Sequence, residues 1–222
     1  MMRTILLVIA TVAGLVAADA HAQSVEREAG PLPRFFPHRT TYLDLDADQR
    51  SHFQLAYLVS SQSGIPPEEI RMWFNQNGEV VSFDIDPSGR ITRLPELDEL
   101  AAEPTVWINQ ERGGMSLNLQ FEATLPGGPE YAAGDLQLAL GQANHAIRQA
   151  AGVAALFAPN FKTLVFEFDG PAPSAIAIHD DGSTTALTAQ ENRVMLRPRD
   201  RGMRDLVRIE MGRMPTRVLL DS

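Results

Sequence analysis

Val80 to Leu94, VVSFDIDPSGRITRL, is echoed about 93 positions downstream by Ser174 to Leu187, SAIAIHDDGSTTAL. Ile85 falls on Ile178, Gly89 on Gly182, Thr92 on Thr185 and Leu94 on Leu187 without a gap. In each copy two apolar-alternating arms flank a turn, Asp-Pro-Ser-Gly in the first and Asp-Asp-Gly in the second, which is the signature of a β-hairpin. The same offset places Leu43, Leu45, Gln49 and His52 on Leu136, Leu138, Gln142 and His145. The chain therefore reads as one unit written twice.

Working outward, the first unit (42–126) opens with Asp46 or Asp48 as the cap of a helix running to about Ser61, with Phe53, Ala56, Tyr57 and Ser60 as its apolar stripe. Strands follow at Ile70–Asn75, through the hairpin, and at Thr105–Asn109 and Ser116–Ala123, with an acid-rich connector from Pro95 to Pro104 that suits a short helix. Pro126-Gly127-Gly128-Pro129 breaks the chain, and 127–134 reads as a linker. The second unit (135–222) repeats the order: an alanine-rich helix over about Gln137–Phe157, then strands at Thr163–Phe168, the second hairpin, Val194–Leu196 and Asp205–Met211. The expected fold class is α+β, a tandem repeat of one helix plus about four antiparallel strands. The two half-sheets would form a continuous sheet with two helices on one face, leaving the other face open.

Residues 1–22 stand apart. Arg3, the apolar run from Ile5 to Val16 and the ending Ala20-His21-Ala22 match a secretory signal peptide. Residues 23–41, with Pro31, Pro33 and Pro37, read as an extended arm in which Phe35 and Phe36 pack back on the domain. The apolar run is too short to span a bilayer and no second one follows, so no membrane span is expected in the mature chain. The chain has no cysteine, so no disulfide framework supports it. Together these point to a periplasmic protein, or one released outside the cell.

The net charge of -9 is unevenly distributed. Residues 1–130 carry 18 acids against 9 arginines, and residues 131–222 carry 10 acids and 10 bases. An acidic chain with no basic groove in its first half is a poor partner for nucleic acid. The most distinctive surface signal is the C-terminal arginine series, in which Arg204, Leu206, Arg208 and Glu210 share one strand face by period two. Arg204 and Arg208, with Trp73 or Trp107 as aromatic anchors, are the candidate binding residues for an acidic envelope protein or polymer.

Chemistry beyond binding has weaker signals. His52 and His145 each follow a glutamine by three residues and are the candidate metal ligands, although spacing supplies no third or fourth. Asp84-Ile85-Asp86-Pro87-Ser88-Gly89 resembles the start of a calcium loop, but its twelfth position is Pro95 rather than a glutamate, and a turn explains it better. The methionines read as core filling. No G-x-S-x-G elbow or His-Glu-x-x-His motif is present, and no cofactor is implied. The sequence thus reads first as an exported, non-catalytic binding module, and second as an envelope hydrolase or metal-dependent enzyme with a site between the units.

Overall fold

The computed structural model describes residues 26–151 and 159–222; the leader Met1–Ala22 and the expected helix positions 152–157 lie outside them. In its first half the chain forms β1 (Arg27–Pro31), α1 (Arg39–Leu43), β2 (Phe53–Ser61), β3 (Met72–Gln76), β4 (Glu79–Ser82), α2 (Leu97–Ala102), β5 (Thr105–Ile108) and β6 (Met115–Ala123). The second half forms β7 (Glu130–Ala132), α3 (Ala133–Ala151), β8 (Thr163–Glu167), β9 (Ala175–His179), β10 (Thr184–Ala186), β11 (Ala189–Gln190), β12 (Arg193–Leu196), β13 (Leu206–Met211) and β14 (Arg217–Asp221). The fold is α+β and its pairings are antiparallel. The expected single continuous sheet is not formed: the strands divide among three sheets, ordered β1-β5-β3-β4, β10-β9-β13-β7 and β11-β12-β8-β14-β6-β2.

The expected helix from Asp46 to Ser61 is not formed. Asp46 caps only a single 3-10 turn, Ala47–Arg50, in a reciprocal capping box with Gln49. From Phe53 the chain is a strand that pairs with β6 over nine residues, from Phe53↔Ala123 to Ser61↔Met115. The reason is visible in FQLAYLVSS, an almost unbroken apolar run in which a helical stripe and a period-two face can both be drawn. Pairing resolves it: Phe53, Leu55, Tyr57 and Val59 point to the core while Gln54 and Ser60 face out. Among the described residues α3 is therefore the one long helix. It buries Leu136, Ala139, Leu140, Ala143 and Ala146, and Asn144 fastens it by bonding the backbone N–H and C=O of Phe161 at 2.7 and 2.9 Å.

The two turns 93 residues apart are closed by matching backbone bonds. Asp86 N–H donates to Arg90 C=O and Gly89 N–H to Asp86 C=O; in the second copy His179 donates to Ser183 and Gly182 to His179. Both glycines have positive φ, 84° and 80°. The pairing around the turns differs. The first turn is bridged to β2 through Leu58↔Arg90, whereas β9 of the second hairpin pairs with β13. Glu130–Ala132, read as linker, forms β7 beside β13 and buries Tyr131.

The arm also belongs to the fold. β1 pairs with β5, and Phe36 is buried with its ring centroid 5.0 Å from Tyr57 and 5.1 Å from Phe83. One core runs through both halves, from Leu32 and Phe36 to Val218 and Leu220. The six-stranded sheet likewise joins the halves, with Leu219 of β14 opposite Glu122 of β6.

Candidate functional site

In the four-stranded sheet, β3 and β5 alternate strictly. Met72, Phe74, Val106 and Ile108 are buried at 0–2% exposure, so Trp73 and Trp107 emerge on the opposite, outward face, where both are partly exposed. The two tryptophans are direct register partners. The transverse row continues through Glu28, opposite Trp107, and Ser82, opposite Trp73. Where β3 begins and β4 ends, a cleft of about 510 Å³ is lined by Trp73, Val80, Ser82 and Ile85 together with Glu26, Glu68, Arg71 and Asp84. Glu26 pairs with Arg71 at 3.1 Å. Val80, at 65% exposure, leaves an uncovered apolar side chain at the sheet edge.

Arg204 and Arg208 stand elsewhere, on and beside β13 in the sheet with β7, β9 and β10. Arg204 precedes the strand, at the C-cap of the 3-10 turn Arg201–Met203, and is exposed. Arg208 is exposed, with its guanidinium engaged by the Glu210 carboxylate at 2.9 Å. The expected face breaks at Leu206. The register shifts between Leu206 and Arg208, so Leu206 turns inward at 8% exposure while Val207 is left 45% exposed. A β-bulge interrupts the alternation that period two assumes.

The outward face of the six-stranded sheet carries ion pairs that local sequence does not announce. Glu167 of β8 is buried and lies directly opposite both Arg193 of β12 and Arg217 of β14. Arg217 donates to its Oε2, and Arg193 approaches Oε1 at 2.6 Å as an ion pair outside hydrogen-bonding alignment. Glu122, also buried, accepts from Arg90 and from Gln54 Nε2. Glu167 is neutralised by its two register partners and Glu122 by Arg90 of the turn beside β2, all from distant segments, so only the assembled fold reveals them.

His52 precedes β2. Its Nδ1 is 2.9 Å from Ser51 Oγ and its Nε2 is 3.6 Å from Asp135 Oδ1. His145 is exposed on α3 and lines a shallow cleft with Gln49, Gln142 and Arg199. Gln142 links the two histidine segments: its Oε1 accepts from His52 N–H at 2.8 Å and its Nε2 donates to Asp48 C=O at 2.6 Å. The spacing thus brings Gln49, Gln142 and His145 together. Among the described residues no three His, Asp or Glu side chains converge as a metal set. At the calcium-like stretch, Asp86 Oδ1 accepts from Ser88 Oγ and from the N–H groups of Ser88 and Arg90, at 2.6, 2.9 and 3.0 Å. Slight burial tends to raise the Asp86 carboxyl, but these bonds and the Arg90 charge outweigh it and hold it below the ordinary carboxylate value. The oxygen a cation would use already closes the turn.

A separate apolar cavity of about 360 Å³ lies between α1, β2, β6 and the end of α3. Tyr42, Phe53, Phe121 and Ile147 are among its walls. Of its aromatic walls Phe53 is a core residue and Tyr42 and Phe121 pack against the core, and Tyr42 Oη donates to Phe53 C=O at 3.1 Å.

No family model, no curated protein and no solved structure matches this chain.

Proposed function

We propose that this chain is an exported, non-catalytic binding module whose contact surface is the outward, tryptophan-bearing face of the four-stranded sheet. The observation that carries the reading is the register pairing of Trp73 with Trp107 on a face turned away from the core. Large aromatic side chains give much of their free energy when desolvated, and they are enriched where a surface meets a partner. Here Trp73 lines an open cleft together with the exposed edge residue Val80, and Trp107 stands beside Trp73 in the next strand. Arg204 and Arg208 lie in another sheet, and Glu210 already engages Arg208, so the contact is assigned to the tryptophans. Export rests on the leader reading of residues 1–22, and cleavage after Ala22 would appear as Gln23 at the N-terminus of the secreted protein. The matching bonds of the two turns support a duplicated hairpin at the centre of each half.

The test compares three immobilised forms of the protein in envelope extract: wild type, Trp73→Ala with Trp107→Ala, and Arg204→Ala with Arg208→Ala. Capture that the tryptophan variant loses and the arginine variant keeps supports the assignment. The same captured set on all three rejects it.

A further inference from the structure

We propose that the tryptophan face takes an extended basic peptide, with cationic side chains four residues apart; this rests on the reading of that face as the contact surface. Charge complementarity selects the ligand class. Glu26, Glu68 and Asp84 line the cleft beside Trp73, and Glu28 stands opposite Trp107 at the other end of the row. The one base in the cleft, Arg71, is held by Glu26 at 3.1 Å. Glu28, Glu68 and Asp84 make no ion pair with any described residue, so three carboxylates without an ion-pair partner flank the tryptophan row, beside an arginine whose charge Glu26 already meets. An ammonium or guanidinium group over an indole face, with a carboxylate at its edge, satisfies both features at once. A carboxylate or phosphate ligand would meet repulsion from all three acids.

The dimensions select a peptide over a single small amine. From Glu28 in β1 to Ser82 in β4 the row crosses three strand spacings, roughly 14 Å in all. An extended chain advances about 3.3 Å per residue, so side chains at i and i+4 on one face stand roughly 13 Å apart. One cation then sits by Glu28 at the Trp107 end of the row, and the other at the Ser82 end, where Glu68 and Asp84 line the cleft beside Trp73.

The test uses a reporter already in the protein. The chain contains only two tryptophans, both in this row, so indole fluorescence reports on this face alone. The mature protein is titrated with a blocked Gly-Arg-Gly-Ser-Gly-Arg-Gly peptide and with the same peptide carrying aspartates for arginines. The expected result is saturable binding of the arginine peptide and none of the aspartate peptide. Binding should weaken as salt rises from about 0.01 M to about 1 M, where the Debye length falls from about 30 to about 3 Å. Glu68→Gln with Asp84→Asn, both exposed and so tolerated by the fold, should weaken binding about tenfold while circular dichroism stays unchanged. Equal binding of both peptides, salt-indifferent binding, or no response to the arginine peptide overturns the cationic assignment. If tryptophan-dependent capture from the extract persists in any of those cases, only the ligand class is wrong. If it is absent as well, the contact surface is wrong.

Discussion

Gly89 stands so close to Val59 that a Cβ on the glycine would lie 2.2 Å from the Val59 carbonyl oxygen. Val59 N–H also donates to Gly89 C=O at 2.7 Å, and Ile91 N–H to Tyr57 C=O at 2.9 Å, so the turn is fastened to the flank of β2. Its counterpart Gly182 has nearly the same φ, but a Cβ there would meet nothing within 4 Å. The same substitution should therefore separate local strain from packing. Gly182→Ala costs about 1–2 kcal/mol for a left-handed non-glycine residue. Gly89→Ala adds the collision and the bonds it breaks, about 1 kcal/mol each, and should exceed about 3 kcal/mol in total. Urea unfolding of the two variants measures the difference, and equal losses would show that the first turn is not anchored to β2.

The turns were legible because their chemistry is local: Asp86 and Gly89, like Asp181 and Gly182, need no distant partner to define a reversal. β3, β5, β6 and β8 were legible for the same reason, since apolar alternation and flanking breakers mark them. Phe53–Ser61 was not, because its near-continuous apolar run leaves helix and strand to be decided by β6, more than fifty residues away. The bulge at Val207 and the burial of Glu122 and Glu167 likewise depend on strands brought together by the fold. Trp73 and Trp107 could be named individually as anchors. That they stand side by side is a matter of register between β3 and β5, which no single stretch encodes.

The Arg193–Glu167–Arg217 row should respond asymmetrically to mutation. Glu167 is buried, whereas the Arg193 and Arg217 side chains are 54% and 30% exposed and can rehydrate when their partner is gone. Arg193→Met with Arg217→Met strands a buried carboxylate and should cost about 3–5 kcal/mol, and Glu167→Gln should cost clearly less. Adding Glu167→Leu to the double variant should recover most of the loss, because an apolar row of similar volume replaces buried charge. Chemical denaturation of the series checks the order; a Glu167→Gln loss larger than that of the double variant would show that the arginines depend on the acid rather than the reverse.

Phe36 tests whether the N-terminal arm is part of the folding unit. It is 2% exposed and packed against Tyr57 and Phe83, while Phe35 is only partly buried. Phe36→Ala should cost about 3–5 kcal/mol, and Phe35→Ala about 1 kcal/mol. Limited proteolysis distinguishes a locally released arm from global loss. Cleavage near Arg34 in Phe36→Ala, with the rest of the chain intact, would show that the arm docks as a separate element instead.

The Asp86 turn carries an acid dependence whose sign follows from its geometry. Three donors to Oδ1 and the charge of Arg90 stabilise the ionised carboxylate and lower its folded pKa from the usual 3.8. A lowered folded value means that the unfolded chain binds the proton first, so the contribution is fully present above the unfolded pKa and is lost as pH falls through the folded one. Asp86→Asn keeps one acceptor oxygen and removes the charge, so at neutral pH it should destabilise by about 0.5–1.5 kcal/mol. Below about pH 4 the gap between wild type and variant should narrow, because the wild-type carboxyl is then being neutralised as well. Thermal unfolding of both proteins at neutral pH and through the acid range reads that convergence; curves that stay parallel would place the stabilisation in the turn backbone and not in the carboxylate.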